Sequence, residues 1–266
     1  MLGLLRVSGW SNWGLDFEQG RSVVSSSRFL PAREQAPDLE EVDTLIVSDV
    51  HLGTDLSRPD ALLATLQRYT FRRLILLGDI LDDLDFSRLP RAHWDLLAYL
   101  RTLCAPERGV EVVWVAGNHD HLLSRLTYHF LGLPVHKRYQ WVHEGKTFLA
   151  MHGHQFDSFL ARHPVLTEVA CFIYHTVQRL EKDRHRFSRF LKRTSKTCLQ
   201  VSELVAQKAA AYAVRRGVDG IFCGHTHSPL SRIFGNVTYH NSGCWTERPA
   251  TFITIGARGI QIQECP

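Results

Sequence analysis

The chain has little that would place it among disulfide-built, membrane-spanning or strongly charged proteins. Its 266 residues include six cysteines, Cys104, Cys171, Cys198, Cys223, Cys244 and Cys265. No two of them lie at the short spacing of a zinc ribbon, and their number in a chain of this length is below the density of a disulfide scaffold. A reducing compartment is therefore expected, with the cytoplasm as the location. No stretch approaches the roughly 18 uninterrupted apolar residues of a membrane span. Met1 to Leu5 is too short for the apolar region of a secretory signal and has no basic segment before it. The expectation is a soluble protein, or one peripheral to the inner face of a membrane. A dominant charge is missing too: 31 Lys and Arg stand against 27 Asp and Glu, a formal charge of +4, so bulk charge selects no partner.

What the chain has in excess is histidine. Fifteen residues of this type point to metal binding or proton transfer. The apolar share of 44% and charged share of 22% are those of an ordinary globular chain, long enough for a core domain with an inserted subdomain. Residues 1–42 read as a partly irregular N-terminal extension, with linker chemistry at Ser25-Ser26-Ser27 and between Pro31 and Pro37. Trp10, Trp13 and Phe17 are either docking residues or stray aromatics of a tail.

From Asp43 the pattern changes. Thr44-Leu45-Ile46-Val47-Ser48, Leu74-Ile75-Leu76-Leu77 and Val110–Val115 are the short apolar runs of strands buried on both faces. Helical spacing separates them, through Leu62, Leu63 and Leu66 behind Pro59, then through Trp94, Leu97 and Leu100 within Arg91–Leu103. This alternation predicts an α/β fold with a parallel sheet and right-handed crossovers. Further strands are expected at Thr147–Met151 and Gly220–Cys223. Short antiparallel strands follow at Leu230–Phe234, Val237–His240, Ala250–Ile255 and Ile260–Ile262.

In open α/β sheets ligands lie beyond the carboxyl ends of the strands, and here those ends carry chemistry. The first run leads into Asp49-Val50-His51, the second into Gly78-Asp79 and the third into Gly117-Asn118-His119-Asp120. Thr147–Met151 is followed by His152-Gly153-His154, and Gly220–Cys223 by Gly224-His225-Thr226-His227. Asp49 and His51, two apart in an extended segment, point to one side and can reach one ion. One histidine at a strand end is ordinary; the joint placement of these motifs points to a metal centre. Two ions near 4 Å apart need several anionic or imidazole ligands and a shared carboxylate, and Asp79 suits that bridge. Two divalent ions are expected, with manganese first and iron or zinc accepting the same mixture of Asp, His and Asn. No thiolate is expected nearby to make a structural zinc site.

This ordered set resembles the five motifs of the calcineurin-like metallophosphoesterases, from about Asp43 to the C-terminus. The resemblance implies an αββα two-sheet sandwich over 43–266 with a helical insertion at about 157–216. It implies that Asp49, His51, Asp79 and His227 hold one ion, and that Asp79, Asn118, His152 and His225 hold the other. It also implies phosphoester or pyrophosphate hydrolysis, in which a bridging water deprotonated by the two cations attacks phosphorus in line. His119 then stabilises the transition state or protonates the departing oxygen, with Asp120 orienting it. Within the family the chain is most similar to the UDP-2,3-diacylglucosamine hydrolase branch of lipid A biosynthesis. The residues that carry this are Ser48-Asp49-x-His51-Leu52-Gly53, His152-Gly153-x-x-Phe156-Asp157 and Asn241-Ser242-Gly243-Cys244-Trp245. Members of that branch carry Arg where this chain has His119 and commonly Asp where it has His154.

The insertion bears on substrate. Val165, Leu166, Val169, Phe172, Ile173 and Val177 form an apolar face, followed by a basic stretch from Arg179 to Lys196 interleaved with Phe187, Phe190 and Leu191. Such a segment suits a nucleotide-linked lipid, peripheral contact with an anionic membrane, single-stranded nucleic acid, or simple cover for the sheet. The leading expectation is a pyrophosphatase acting on UDP-2,3-diacylglucosamine or a similar lipid. The alternatives are a hydrolase of nucleotides, nucleic acid or phosphoprotein, and a non-catalytic scaffold. No obligate protein partner is expected.

Overall fold

The apolar runs are continuous because both of their faces are covered. The computed structural model describes residues 39–83, 85–119, 132–157 and 184–266, by backbone alone over 184–198. Asp120, the N-terminal aromatics and the apolar face of the insertion lie outside the described residues. In chain order come β1 (Glu40–Val47), α1 (Pro59–Gln67), β2 (Tyr69–Leu77), α2 (Arg91–Leu103), β3 (Glu111–Val115), β4 (Val135–His136), β5 (Tyr139–His143) and β6 (Lys146–Ala150). Then follow α3 (Arg184–Arg216), β7 (Gly220–Cys223), β8 (Leu230–Phe234), β9 (Val237–Asn241), β10 (Ala250–Gly256) and β11 (Gly259–Cys265).

Six strands form one sheet in the order β11-β10-β1-β2-β3-β4, and five form another in the order β5-β6-β7-β9-β8. As the alternation of elements predicts, β1, β2 and β3 run parallel, and β4 joins them in the same sense. Their register is even: Leu45 sits beside Leu74, and Leu74 beside Val112. The three central strands therefore finish level with one another, and the residues after them emerge along one edge.

Alternate side chains divide the burial. Leu45, Val47, Leu74, Leu76, Val112 and Trp114 join a core with Leu62 and Leu66 of α1 and Leu96 and Leu100 of α2. Ile46, Ile75, Leu77, Val113 and Val115 point the other way, onto Trp141, Phe148, Ala150 and Phe222 of the second sheet. The far face of that sheet, with Leu149, Ile221, Val237 and Tyr239, packs on Ala206, Ala209 and Ala213 of α3. Alanines at this spacing put a narrow, smooth stripe on the helix and let it lie close to the strands. The layers are thus helix, sheet, sheet, helix, the expected αββα sandwich.

Two strands carry no clear sequence signal. β4 has two residues, and in β5 Trp141 is buried while Gln140 and Val142 are exposed, as befits an edge strand with one solvated face. The C-terminal strands divide between the sheets: β8 and β9 pair antiparallel in the second, while β10 and β11 pair antiparallel in the first. No helix among the described residues is long and apolar enough to cross a membrane.

Candidate metal centre

The parallel pairing of β1 and β2 continues into the loops that follow. The amide of Asp49 donates to Gly78 O at 3.0 Å, that of His51 to Asp79 O at 3.0 Å and that of Leu52 to Ile80 O at 2.9 Å. Here the backbone is not extended. Asp49 and His51 have φ of 53° and 49°, and Asp79, His225 and His227 have φ of 51°, 68° and 53°. The expectation that an extended backbone turns Asp49 and His51 to one side is corrected: both are left-handed, and their side chains converge by that route. Non-glycine residues avoid this region at about 1–2 kcal/mol each, and clusters of such strain mark functional sites.

Six of the seven expected ligands come together in two groups, Asp49 with His51 and His227, and Asp79 with His152 and His225. In each group the candidate ligand atoms lie within 4.8 Å of one another. His227 Nε2 is 3.3 Å from Asp49 Oδ1, and His152 Nε2 is 3.1 Å from Asp79 Oδ2. The groups adjoin, since His152 Nε2 also lies 3.9 Å from Asp49 Oδ1. Asn118 follows Gly117 beyond β3 and is exposed; next to it, the His119 amide donates to Asp79 Oδ1 at 2.9 Å.

The donor set fits divalent cations. Asp49 Oδ1, His51 Nε2 and His152 Nε2 are buried without a hydrogen-bond partner among the described residues. Buried polar atoms are rarely left so, and aspartate oxygens beside imidazole nitrogens suit hard to borderline ions. The ring orientations agree. His152 Nδ1 donates to Leu77 O at 2.8 Å, and His51 Nδ1 donates to Asp82 Oδ1 at 3.2 Å. Each therefore turns Nε2 toward the centre, as ligating histidines do when their other nitrogen is held.

The electrostatics describe a site missing positive charge. Burial would raise the Asp79 carboxyl, yet His152, His51 and His119 hold it well below the usual carboxylate range; Asp49 is lowered by His152 and His227 in the same way. Burial would lower His152, but Asp79 and Asp49 push it up to about 9. His227 is likewise raised, against its burial, by Asp49. Without ions, protons on His152 and His227 do the neutralising.

Several supporting residues were not legible as site residues. Asp82 holds His51 and also accepts His119 Nδ1 on its carbonyl at 2.8 Å. Asp157 Oδ2 lies 3.3 Å from His225 Nε2, so Nδ1 would be the nitrogen left for an ion. Asn241, fully buried, donates to Gly224 O at 2.6 Å and Thr226 Oγ1 at 3.1 Å, bracing the loop that carries His225 and His227. His93 accepts the Gly53 amide at 3.0 Å. The expectation of no thiol nearby is corrected: the loop carrying the Asn241–Trp245 motif folds back so that Cys244 and Glu247 offer atoms within 4.8 Å of His227. The approach is close enough to demand glycine. A methyl group at Gly117 would fall on the Asp79 carboxylate, and one at Gly224 would fall on Asp49 and Ser48.

Strand-end carboxylates and imidazoles in two adjoining groups, on a two-sheet sandwich, are candidate metal-binding groups of the kind a metallophosphoesterase uses. The chain belongs to the calcineurin-like phosphoesterase family, which it matches over residues 43–229. Among solved structures it is similar to a mutant of Vps29 from Entamoeba histolytica, at 15% identity over 83% of this chain and 97% of that one, with a TM-score of 0.44. It is similar to YfcE, a phosphoesterase from E. coli, at 17% identity over 80% of this chain and 88% of that one, TM-score 0.46. An archaeal phosphodiesterase gives 12% identity over 83% of this chain and 98% of that one, TM-score 0.46. No curated protein matches the chain.

Proposed function

We propose that the chain hydrolyses a phosphodiester or pyrophosphate bond with the help of two divalent cations, manganese being the first expected. The observation that carries this reading is the pair of adjoining groups around Asp49 and Asp79, in which Asp49 Oδ1, His51 Nε2 and His152 Nε2 are buried without hydrogen-bond partners among the described residues. When bound, such ions lower the pKa of water and offset charge on the phosphoryl oxygens. Asp49, His51 and His227 would hold one ion, and Asn118, His152 and His225 the other, with Asp79 available to both. The chain's further task is the leaving group. As water oxygen bonds to phosphorus, the bond from phosphorus to the departing oxygen breaks, and its electron pair leaves on that oxygen, which takes up a proton. His119 supports this step: Nδ1 is tied to the Asp82 carbonyl, an obligate acceptor, so Nε2 is the nitrogen that can supply the proton.

The leading substrate is UDP-2,3-diacylglucosamine or a similar nucleotide-linked lipid, met by a cytoplasmic enzyme at the inner face of a membrane. The sequence runs around Ser48, Phe156 and Asn241 support this. The test is release of UMP from that lipid by the manganese-loaded protein. Strong turnover of nucleotides, nucleic acid or phosphoprotein beside negligible release of UMP would reassign the substrate. A protein that binds no metal and turns over none of them would be a scaffold.

A further inference from the structure

Asp82 and His119 meet on the solvent side of the metal centre, with side chains 22% and 42% exposed. His119 Nδ1 lies 2.8 Å from the Asp82 carbonyl oxygen and 3.8 Å from Asp82 Oδ1. Asp82 Oδ1 in turn lies 3.2 Å from His51 Nδ1. Together His51, Asp82 and His119 offer atoms within 4.8 Å of one another. This further group shares only His51 with the seven expected ligands.

The two Asp82 oxygens that face His119 Nδ1 are acceptors only. The nitrogen beside them therefore carries a proton or shares a cation with them. Zinc bonds of about 2.0 to 2.2 Å at the tetrahedral angle set two donors about 3.4 Å apart. A small turn of the exposed His119 ring closes its 3.8 Å separation from Asp82 Oδ1 to that value. His51 keeps its own proton: with Nε2 toward the centre, Nδ1–H stays on Asp82 Oδ1, and a carboxylate oxygen has a second lone pair for an ion. Two positive charges weaken the site. Arg88 Nη1, which also pairs with Asp83, stands 3.9 Å from Asp82 Oδ2, and the nearer ion of the centre would lie across the His51 ring. The site therefore fills last, and its imidazole donor favours zinc over manganese.

We propose that Asp82 and His119 form a third, inhibitory cation site, which takes zinc once the two positions of the centre are filled. The inference rests on the phosphoester-hydrolase reading for its effect on rate, and on geometry alone for the binding. As a general acid, His119 carries protons on both ring nitrogens. Zinc at Nδ1 replaces one of them: that proton goes to solvent, and Nε2–H remains on a neutral ring, a far weaker acid than imidazolium. The departing oxygen then loses its proton source.

The test titrates zinc into the full chain already holding two zinc ions, and equilibrium dialysis compares wild type, His119→Ala and Arg88→Ala. Beyond the first two ions, wild type should bind one equivalent more than His119→Ala, and Arg88→Ala should bind that equivalent about threefold or more tightly. Rates are read with a dinucleotide, whose leaving group is an alkoxide, and with bis(4-nitrophenyl) phosphate, whose nitrophenolate departs without a proton. The extra equivalent should slow the dinucleotide by roughly 10² or more, slow the nitrophenyl ester far less, and leave the residual rate of His119→Ala unchanged. Equal zinc uptake by wild type and His119→Ala overturns the proposal and assigns any further zinc to histidines elsewhere. Equal slowing of the two substrates, or faster cleavage, overturns the inhibitory role. If neither substrate is turned over, the hydrolase reading fails by itself, and dialysis decides the site: one equivalent lost in His119→Ala retains it, and none lost removes it.

Discussion

His152, at the end of β6 in the second sheet, places Nε2 3.1 Å from Asp79 Oδ2, at the end of β2 in the first. This contact crosses between the layers and is closed to solvent, the His152 side chain being 0% exposed. In ion-free protein it is a buried ion pair that holds His152 at about 9, against about 6.5 for an unfolded histidine. A pKa raised by folding contributes stability that is full below the unfolded value and lost as pH climbs through the folded one. Urea unfolding of metal-stripped protein should therefore show stability falling by on the order of 3 kcal/mol between about pH 6.5 and pH 10. A flat profile across that window would contradict the ion pair.

The same protons oppose the ions. Ligands must lose them before binding metal, so manganese affinity should rise across the same pH window and binding should release protons. Calorimetry in buffers of different ionisation enthalpy measures that release; none detected near pH 7 would mean that His152 and His227 are already neutral.

Asp79 and His119 should separate by metal content. Asp79→Ala is expected to lose both bound ions and activity, since it stands at the meeting of the two groups. His119→Ala should keep its metal and lose rate by roughly 10² to 10⁴, the range for a general acid. Elemental analysis beside turnover decides: depletion of metal in the second variant would make His119 a ligand.

Asp82→Asn tests a residue outside the seven expected ligands. The amide keeps the shape but gives up the charge that fixes the His51 ring, and such changes cost about 10- to 100-fold in metal affinity. The expected result is weaker manganese binding with the fold retained by circular dichroism. Wild-type affinity would show that His51 is held by other means.

Gly117→Ala adds one methyl group where the Asp79 carboxylate sits. The expected outcome is a folded protein in which Asp79 is displaced, with metal binding reduced and activity falling further. Normal metal content in this variant would show that the loop after β3 yields more easily than its contacts imply.

Much of this arrangement was legible in the sequence for one physical reason. Strands buried on both faces appear as unbroken apolar runs, and the residues directly after them are the ones a level parallel sheet brings together. Asp49, Asp79 and His152 were found that way. Asp82 and Asp157 were not, because a carboxylate that steadies an imidazole looks like any surface aspartate until the chain has folded. Asn241 and His93 support the loops through contacts that leave no periodic trace, and Cys244 approaches His227 only through the path of a loop. β5 escaped notice because an edge strand with one wet face carries a weak pattern. The left-handed backbone at the ligands was equally hidden, since aspartate and histidine enter that region more often than most residues but still only in a small minority of cases.

Each ligand group draws on both sheets: Asp49, His51 and Asp79 follow strands of the first, while His152, His225 and His227 follow strands of the second. Between them lies the layer formed by Ile46, Ile75, Leu77 and Val113 against Trp141, Phe148 and Phe222. That layer acts as a gauge block. Its thickness and shear set the gap the cations must span, so a core methyl group far from any ion is part of the site's calibration. The chemistry is tuned by oil as much as by charge.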